Sequence, residues 1–352
     1  MIKPDAKELY HKHVKNINHS WCPVPWGQVS VHNSGEYRSC IQARSCKKTR
    51  GILRDDNDNI MRADTHSIDE VRNSPLLKDV RKSMIQGERH DMCVRCNRED
   101  DAGVPSRRRN ATIEYYDKYN YDYWKALSHC HDDGQLMLHE SEVLEYDIRL
   151  GNLCNLKCRM CHPSESTQWY DEWFDTMFKG FNSDFTRVEM FRENKKIKLK
   201  NDIYSWYDDS KFFNEVNKNS NSTRKIYFSG GEPTLVENMY DMLEKIIDSG
   251  MAKDIELEYN INLTNIPRRA INVWHNFKQV TLGGSIDAVG EYNNYIRYPS
   301  KWNKIEENIK WLDQNTNPNI NFFCTATWQI LNATQILDLI KWQIENKFVK
   351  FN

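Results

Sequence analysis

Three thiols fall within eight residues in the stretch Cys154-Asn155-Leu156-Lys157-Cys158-Arg159-Met160-Cys161. Thiolates spaced this closely cannot all point away from one another, and they suit a soft, multi-iron centre. Three is one short of the four thiolates a [4Fe-4S] cluster normally takes, so one iron would stay open to another ligand. Structural cysteines or part of a zinc site are the plainer alternatives. Whatever the metal, the chain must bring a turn to this point. The alternating run Leu144-Glu145-Tyr146-Asp147-Ile148-Arg149-Leu150 reads as the strand that does so.

Downstream, strand and helix patterns alternate. Strands are expected at Lys225 to Ser229, Ile255 to Tyr259, Gln279 to Ile286, Asn319 to Thr327 and Phe348 to Phe351. Helices are expected around Trp169 to Met177, Val236 to Ile247, Pro267 to His275, 302–314 and 333–346. Repeated βα units imply a parallel sheet with right-handed crossovers, doubly wound or forming a full or partial barrel. Sites of such sheets lie just past the C-terminal ends of strands. The loop after the second strand, Ser229-Gly230-Gly231-Glu232-Pro233, falls there. Paired glycines let backbone approach a ligand closely, and a carboxylate suits an ammonium.

The CxxxCxxC spacing of Cys154, Cys158 and Cys161, about 70 residues ahead of Gly230-Gly231-Glu232-Pro233, resembles the radical S-adenosylmethionine (radical SAM) enzymes. The resemblance implies a (β/α)6 partial barrel, TIM-like, over 141–352, with the chain ending in or after its sixth strand. It implies a cluster at the three cysteines whose open iron is chelated by S-adenosylmethionine. Met160 would lie near the adenine, and Gly230 to Pro233 would meet the cofactor's amino group. Asn262, in a TN-type turn, Ser285 and Asp287, in an S-x-D segment, and Arg297 would complete the cofactor site. A polar Asn/Lys-rich insertion, with disorder expected in part, occupies about 181–224.

The segment ahead of this core carries its own thiols. Val29-Ser30-Val31, the Asn33-Ser34-Gly35 turn and Tyr37-Arg38 read as a hairpin with Cys22 and Cys40 near its ends. Ser67 and Glu70 make a capping box for one helix running to Gly87, and Cys93-Val94-Arg95-Cys96 follows. Hairpin, helix and CxxC turn bring four thiols within reach of one metal. Cys46 is an alternative ligand but reads as a bystander, Cys130 as incidental and Cys324 as core. The arrangement resembles a twitch domain, the short form of the SPASM domain, which holds an auxiliary [4Fe-4S] cluster. The resemblance covers 1–110 as a small α+β domain, although such domains usually follow the radical SAM core. A four-cysteine zinc site is the other reading. Between the domains, 111–140 reads as a charged, Tyr-rich connector. Just before it, Arg107-Arg108-Arg109 is either part of a solvated surface or a basic lip for an acidic substrate.

Aromatic residues make up 12% of the 352-residue chain, so they must supply much of the core. With a net charge of −1, nothing in the overall field calls for nucleic acid. Met1-Ile2-Lys3-Pro4-Asp5 opens no export signal, and no apolar run is long enough to span a bilayer. Ten cysteines in such clusters point to metal ligation in a reducing, cytoplasmic setting. The function expected from the resemblance is reductive cleavage of S-adenosylmethionine to a 5'-deoxyadenosyl radical acting on a peptide or small metabolite. A flavodoxin or ferredoxin would supply the electron. A non-catalytic iron-sulfur or zinc protein and an RNA-modifying radical SAM enzyme are the rivals.

Overall fold

The computed structural model describes residues 19–351, and the reading of Met1 to Asp5 lies outside them. The chain divides into two compact units. The first takes residues up to Val31, then Glu36–Asp147 and Asn221–Arg224; the second takes His32–Gly35, Ile148–Ser220 and the chain from Lys225.

In the first unit, α1 (Val24–Gly27) leads into β1 (Gln28–Val31), which pairs antiparallel with β2 (Tyr37–Arg38). Ser67 does cap α2 (Ile68–Arg72), and the capping box with Glu70 is complete. The helix expected from Ser67 to Gly87 is, however, two. Pro75 has no N–H to continue α2, and Ser74-Pro75 instead starts α3 (Pro75–Ile85) with proline at N1. Then come α4 (Val94–Asp101), α5 (Arg107–Tyr119) and α6 (Tyr123–Ser128). The Tyr-rich stretch holds a helix packed by its aromatics. Tyr115, Tyr119 and Tyr121 are buried with Trp21, Trp26 and Met84, because rings at i and i+4 of α5 share its inward face. Arg81 is fully buried and donates to the backbone carbonyls of Pro25, Arg72 and Gly134.

The chain crosses between units within β3 (Glu145–Leu150). The second unit is α/β. Its sheet runs β10-β9-β8-β7-β3, and within it β7 (Lys225–Gly230), β8 (Glu256–Ile261), β9 (Gln279–Gly284) and β10 (Ile320–Cys324) pair parallel in succession. The crossovers carry α9 (Glu237–Asp248), α10 (Arg268–Trp274), α11 (Gly290–Ile296) and α12 (Trp302–Asn315), and α13 (Ile336–Asn346) follows β10. Alternation separates the two faces of the sheet. Ile226, Phe228, Leu257, Tyr259, Val280, Leu282, Ile320 and Phe322 are buried, whereas Tyr227, Glu258, Asn260 and Thr281 on the other face are half-buried.

Three expectations here need correction. The polar stretch 181–224 is ordered: β4 (Gly180–Asn182), β5 (Arg187–Glu193) and β6 (Lys196–Leu199) form an antiparallel sheet, and α8 (Lys211–Lys218) follows. Asn194 and Lys195 link β5 to β6 in a two-residue loop with both φ positive, the mark of a type I′ hairpin, and Val188 and Met190 bury one face. The helix after the cysteine loop, α7 (Tyr170–Asp175), stops short of Met177, which has φ +74° and is exposed. Phe348 to Phe351 is not a strand: only Phe351 bridges, parallel, to Phe322, and Phe348 packs its ring on Trp342.

Candidate functional sites

In the second unit, β3 delivers the chain to the Cys154 loop through Gly151, whose φ of +55° and close approach to Tyr207 leave no room for a Cβ. Cys154, Leu156 and Cys158 pack together, with Met160 and Cys161 against them. Burial pushes the Cys154 thiol up to about 12, against a hydrogen bond from the Leu156 N–H. Cys161 and Cys158 are hydrogen-bonded to each other. The hydrogen bond between them holds Cys158 low and Cys161 high, and the Arg297 charge also favours a Cys158 thiolate.

The Gly230–Pro233 loop is stitched to this loop by backbone. Gly231 N–H donates to Gly151 O at 3.1 Å and Glu232 N–H to Leu153 O at 2.7 Å. A Cβ on Gly231 would lie 2.2 Å from Leu153 O, so only glycine permits that approach. Glu232 is buried, and Pro233 opens the short 3-10 turn after it. The Glu232 Oε1 accepts from Thr234 Oγ1 at 2.7 Å and Thr234 N–H at 3.3 Å, and its Oε2 accepts from Asn262 N–H at 2.8 Å. Burial pushes its carboxyl up to about 7, opposed by those hydrogen bonds and by Arg297.

Asn262 has its side chain committed inside the protein: Nδ2 donates to Asn155 Oδ1 at 2.7 Å, and Oδ1 accepts from the Thr264 hydroxyl and N–H. Asn155 in turn donates to Thr264 Oγ1 at 2.8 Å, which ties the middle of the cysteine loop to the end of β8. Ser285, half-buried, donates its N–H to Ile261 O at 2.8 Å. Asp287 is fully buried, 2.8 Å from Arg297 Nε, and accepts from Thr327 N–H at 2.7 Å. Arg297 is therefore held by Asp287. The cysteine loop also pairs with this segment, Lys157 N–H donating to Tyr298 O and Arg159 N–H to Ile296 O.

Sequence reasoning missed Asn155, Thr234, Ser166 and Trp169. Ser166 Oγ donates to Leu156 O, 2.5 Å away, and Trp169 Nε1 to Cys158 O at 3.2 Å, so both brace the loop. Thr234 is a local partner, two residues past Glu232, whose carboxylate caps the turn that Pro233 opens, whereas Asn155, Ser166 and Trp169 make their contacts through chain folding, which no periodicity or spacing signals.

In the first unit, Cys22, Cys40, Cys93 and Cys96 line one small cavity together with Arg107 and Arg108. Burial pushes Cys22 and Cys96 up and Cys93 up to about 12, and for each a neighbouring thiolate adds to the effect. Cys46 lies outside the cavity lining but close enough to act on Cys93. The arginine triplet is not a basic lip, because Arg108 is buried against Asp100 and Arg109 pairs with the same carboxylate. Thiols held neutral by burial ionise when a cation replaces their protons, so both thiol sets fit a metal centre by donor chemistry.

The family model described as the radical SAM superfamily matches residues 148–341, more than half of the chain. No curated protein matches it. Among solved structures it is similar to SuiB of Streptococcus suis, at 13% identity over 84% of this chain and 56% of that one, with a TM-score of 0.38. SuiB bound to S-adenosylmethionine matches at 16% identity over 77% and 54%, TM-score 0.38. A structure of native anSMEcpe with bound AdoMet matches at 19% identity over 59% and 50%, TM-score 0.38. The chain thus spans about half the length of the solved structures it matches.

Proposed function

The chain belongs to the radical SAM superfamily of enzymes, and from that premise we propose that it cleaves S-adenosylmethionine reductively at a [4Fe-4S] cluster held by Cys154, Cys158 and Cys161. One observation carries the reading: Gly231 and Glu232 are hydrogen-bonded, backbone to backbone, to Gly151 and Leu153 at the entry to the cysteine loop, which sets a buried carboxylate close enough to Cys154 to act on its thiol. Bound there, cluster and cofactor supply the hard chemistry: one electron breaks a C–S bond of the sulfonium to give methionine and a 5'-deoxyadenosyl radical that takes a substrate hydrogen.

The protein's own residues bind and orient. Glu232 keeps one acceptor position open for the amino group. Gly230 and Gly231 let the backbone close in, and Met160, packed against the cysteine loop, would meet the adenine. Arg297, set by Asp287, offers its remaining donors to the carboxylate, and Ser285 serves the ribose. Asn262 works indirectly, by fixing the cysteine loop through Asn155. The parallel sheet would curve as a partial (β/α)6 barrel. Its half-buried face of Tyr227, Glu258, Asn260 and Thr281 suits a polar substrate such as a peptide or small metabolite.

We further propose that Cys22, Cys40, Cys93 and Cys96 hold an auxiliary [4Fe-4S] cluster in a twitch-like domain, with a flavodoxin or ferredoxin as electron donor. Anaerobic reconstitution, reduction and addition of S-adenosylmethionine should yield 5'-deoxyadenosine. An intact three-cysteine cluster that yields none would favour a non-catalytic metal protein.

A further inference from the structure

The wall of the four-thiol cavity is built by the first turn of α5. Ser106 caps that helix, its Oγ accepting from Arg109 N–H, and the Arg108 N–H is hydrogen-bonded to the Cys96 thiol. The positive end of the helix therefore faces sulfur. Arg108 spends its guanidinium on Asp100 and Asn97. Arg107 does not. Its Nη2 donates to Gln28 Oε1 at 3.3 Å, while its Nε is buried with no hydrogen-bond partner among the described residues. A buried guanidinium N–H without an acceptor is costly, which points to an acceptor supplied by whatever fills the cavity. The charges that act on Arg107 are Cys40, Glu145, Asp147 and Cys22, and despite its burial they hold it firmly protonated.

We propose that Arg107 donates its Nε–H to a sulfur of the four-thiolate centre and raises that centre's reduction potential. The inference rests on the reading of this site as an iron-sulfur cluster. With four thiolates such a cluster carries a net charge of 2−, and it becomes 3− on taking one electron, with no proton required. A fixed cation and a hydrogen-bond donor favour the more negative state, so they pull the potential upward. The role is one of positioning and electrostatics.

The test is a redox titration of the reconstituted full chain, followed by paramagnetic resonance, for wild type, Arg107→Met and Arg107→Lys. Dithionite is the one-electron donor, and the three-cysteine cluster is identified by the change that added S-adenosylmethionine causes in its signal. Loss of the charge-assisted hydrogen bond should lower the reduced-to-oxidised ratio of the four-cysteine cluster roughly tenfold at fixed potential, a fall of ~59 mV for one electron. Arg107→Lys should fall between, and the other cluster should not move. Iron present in the four-cysteine site with an unchanged potential in Arg107→Met overturns the inference alone. So does an equal shift of both clusters, or loss of iron from that site in both variants, which would make Arg107 structural. Zinc in that site overturns the auxiliary-cluster reading and this inference together.

Discussion

Glu232→Gln separates binding from folding. The carboxylate has about four acceptor positions, and Thr234 and Asn262 already occupy three of them, leaving one for the cofactor's amino group. Gln keeps the shape but loses the charge, and a charge-assisted hydrogen bond is worth about 1.5–3 kcal/mol. Affinity for S-adenosylmethionine should therefore fall roughly 10- to 100-fold. The pH dependence is a second signature. With the carboxyl raised from 4.5 to about 7, wild-type affinity should climb roughly tenfold between pH 6 and pH 8, as the ionised fraction grows. The Gln variant should be flat.

Folding moves the opposite way. The folded-state value lies above the unfolded one, so Glu232's contribution to stability is fully present below about pH 4.5 and is lost as pH rises through about 7, a loss of about 3 kcal/mol. Gln removes that slope, although its amide then faces the Asn262 N–H at a cost of about 1–3 kcal/mol. Calorimetric binding to the reduced protein and denaturant unfolding at pH 5 and pH 8 read both effects. A Gln variant that binds with wild-type affinity and keeps the wild-type pH profile would refute this placement of the carboxylate.

Gly231→Ala should destabilise the second unit by about 3 kcal/mol or more, since its Cβ would meet the Leu153 carbonyl, and a thermal melt unchanged from wild type would contradict the close approach. Asp287→Ala should leave Arg297 buried without its counter-charge and cost about 3–5 kcal/mol, whereas Asp287→Asn should cost less; denaturant midpoints of the two rank them. In the Cys154/Cys158/Cys161→Ala variant, iron should fall from about eight to about four atoms per chain while the four-cysteine site keeps its cluster, and elemental analysis measures both.

Local rules reach a definite part of this protein. The capping box of Ser67 and Glu70, the hairpin around Gly35 and the strand-helix alternation from Lys225 to Asn346 each depend on neighbours in sequence, so residue type and period suffice to read them. The break at Pro75 is missed by the expectation of one helix to Gly87, although proline cannot continue a helix and the signal is local. The triple-thiol loop and the glycine pair also announce a soft metal beside a close backbone approach.

Chemistry set by distant partners was not legible. Arg107, Arg108 and Arg109 look like a surface charge run, yet folding wraps them around four thiols and Asp100. Asn155 looks like a spacer between cysteines, yet it locks to Asn262 across 107 positions of chain. Asp287 lies ten residues before Arg297 in an ordinary S-x-D segment, yet folding buries it fully and pairs it with that arginine. Burial and partner choice are properties of the packed chain. Desolvation, not residue type, lifts the Glu232 carboxyl to about 7.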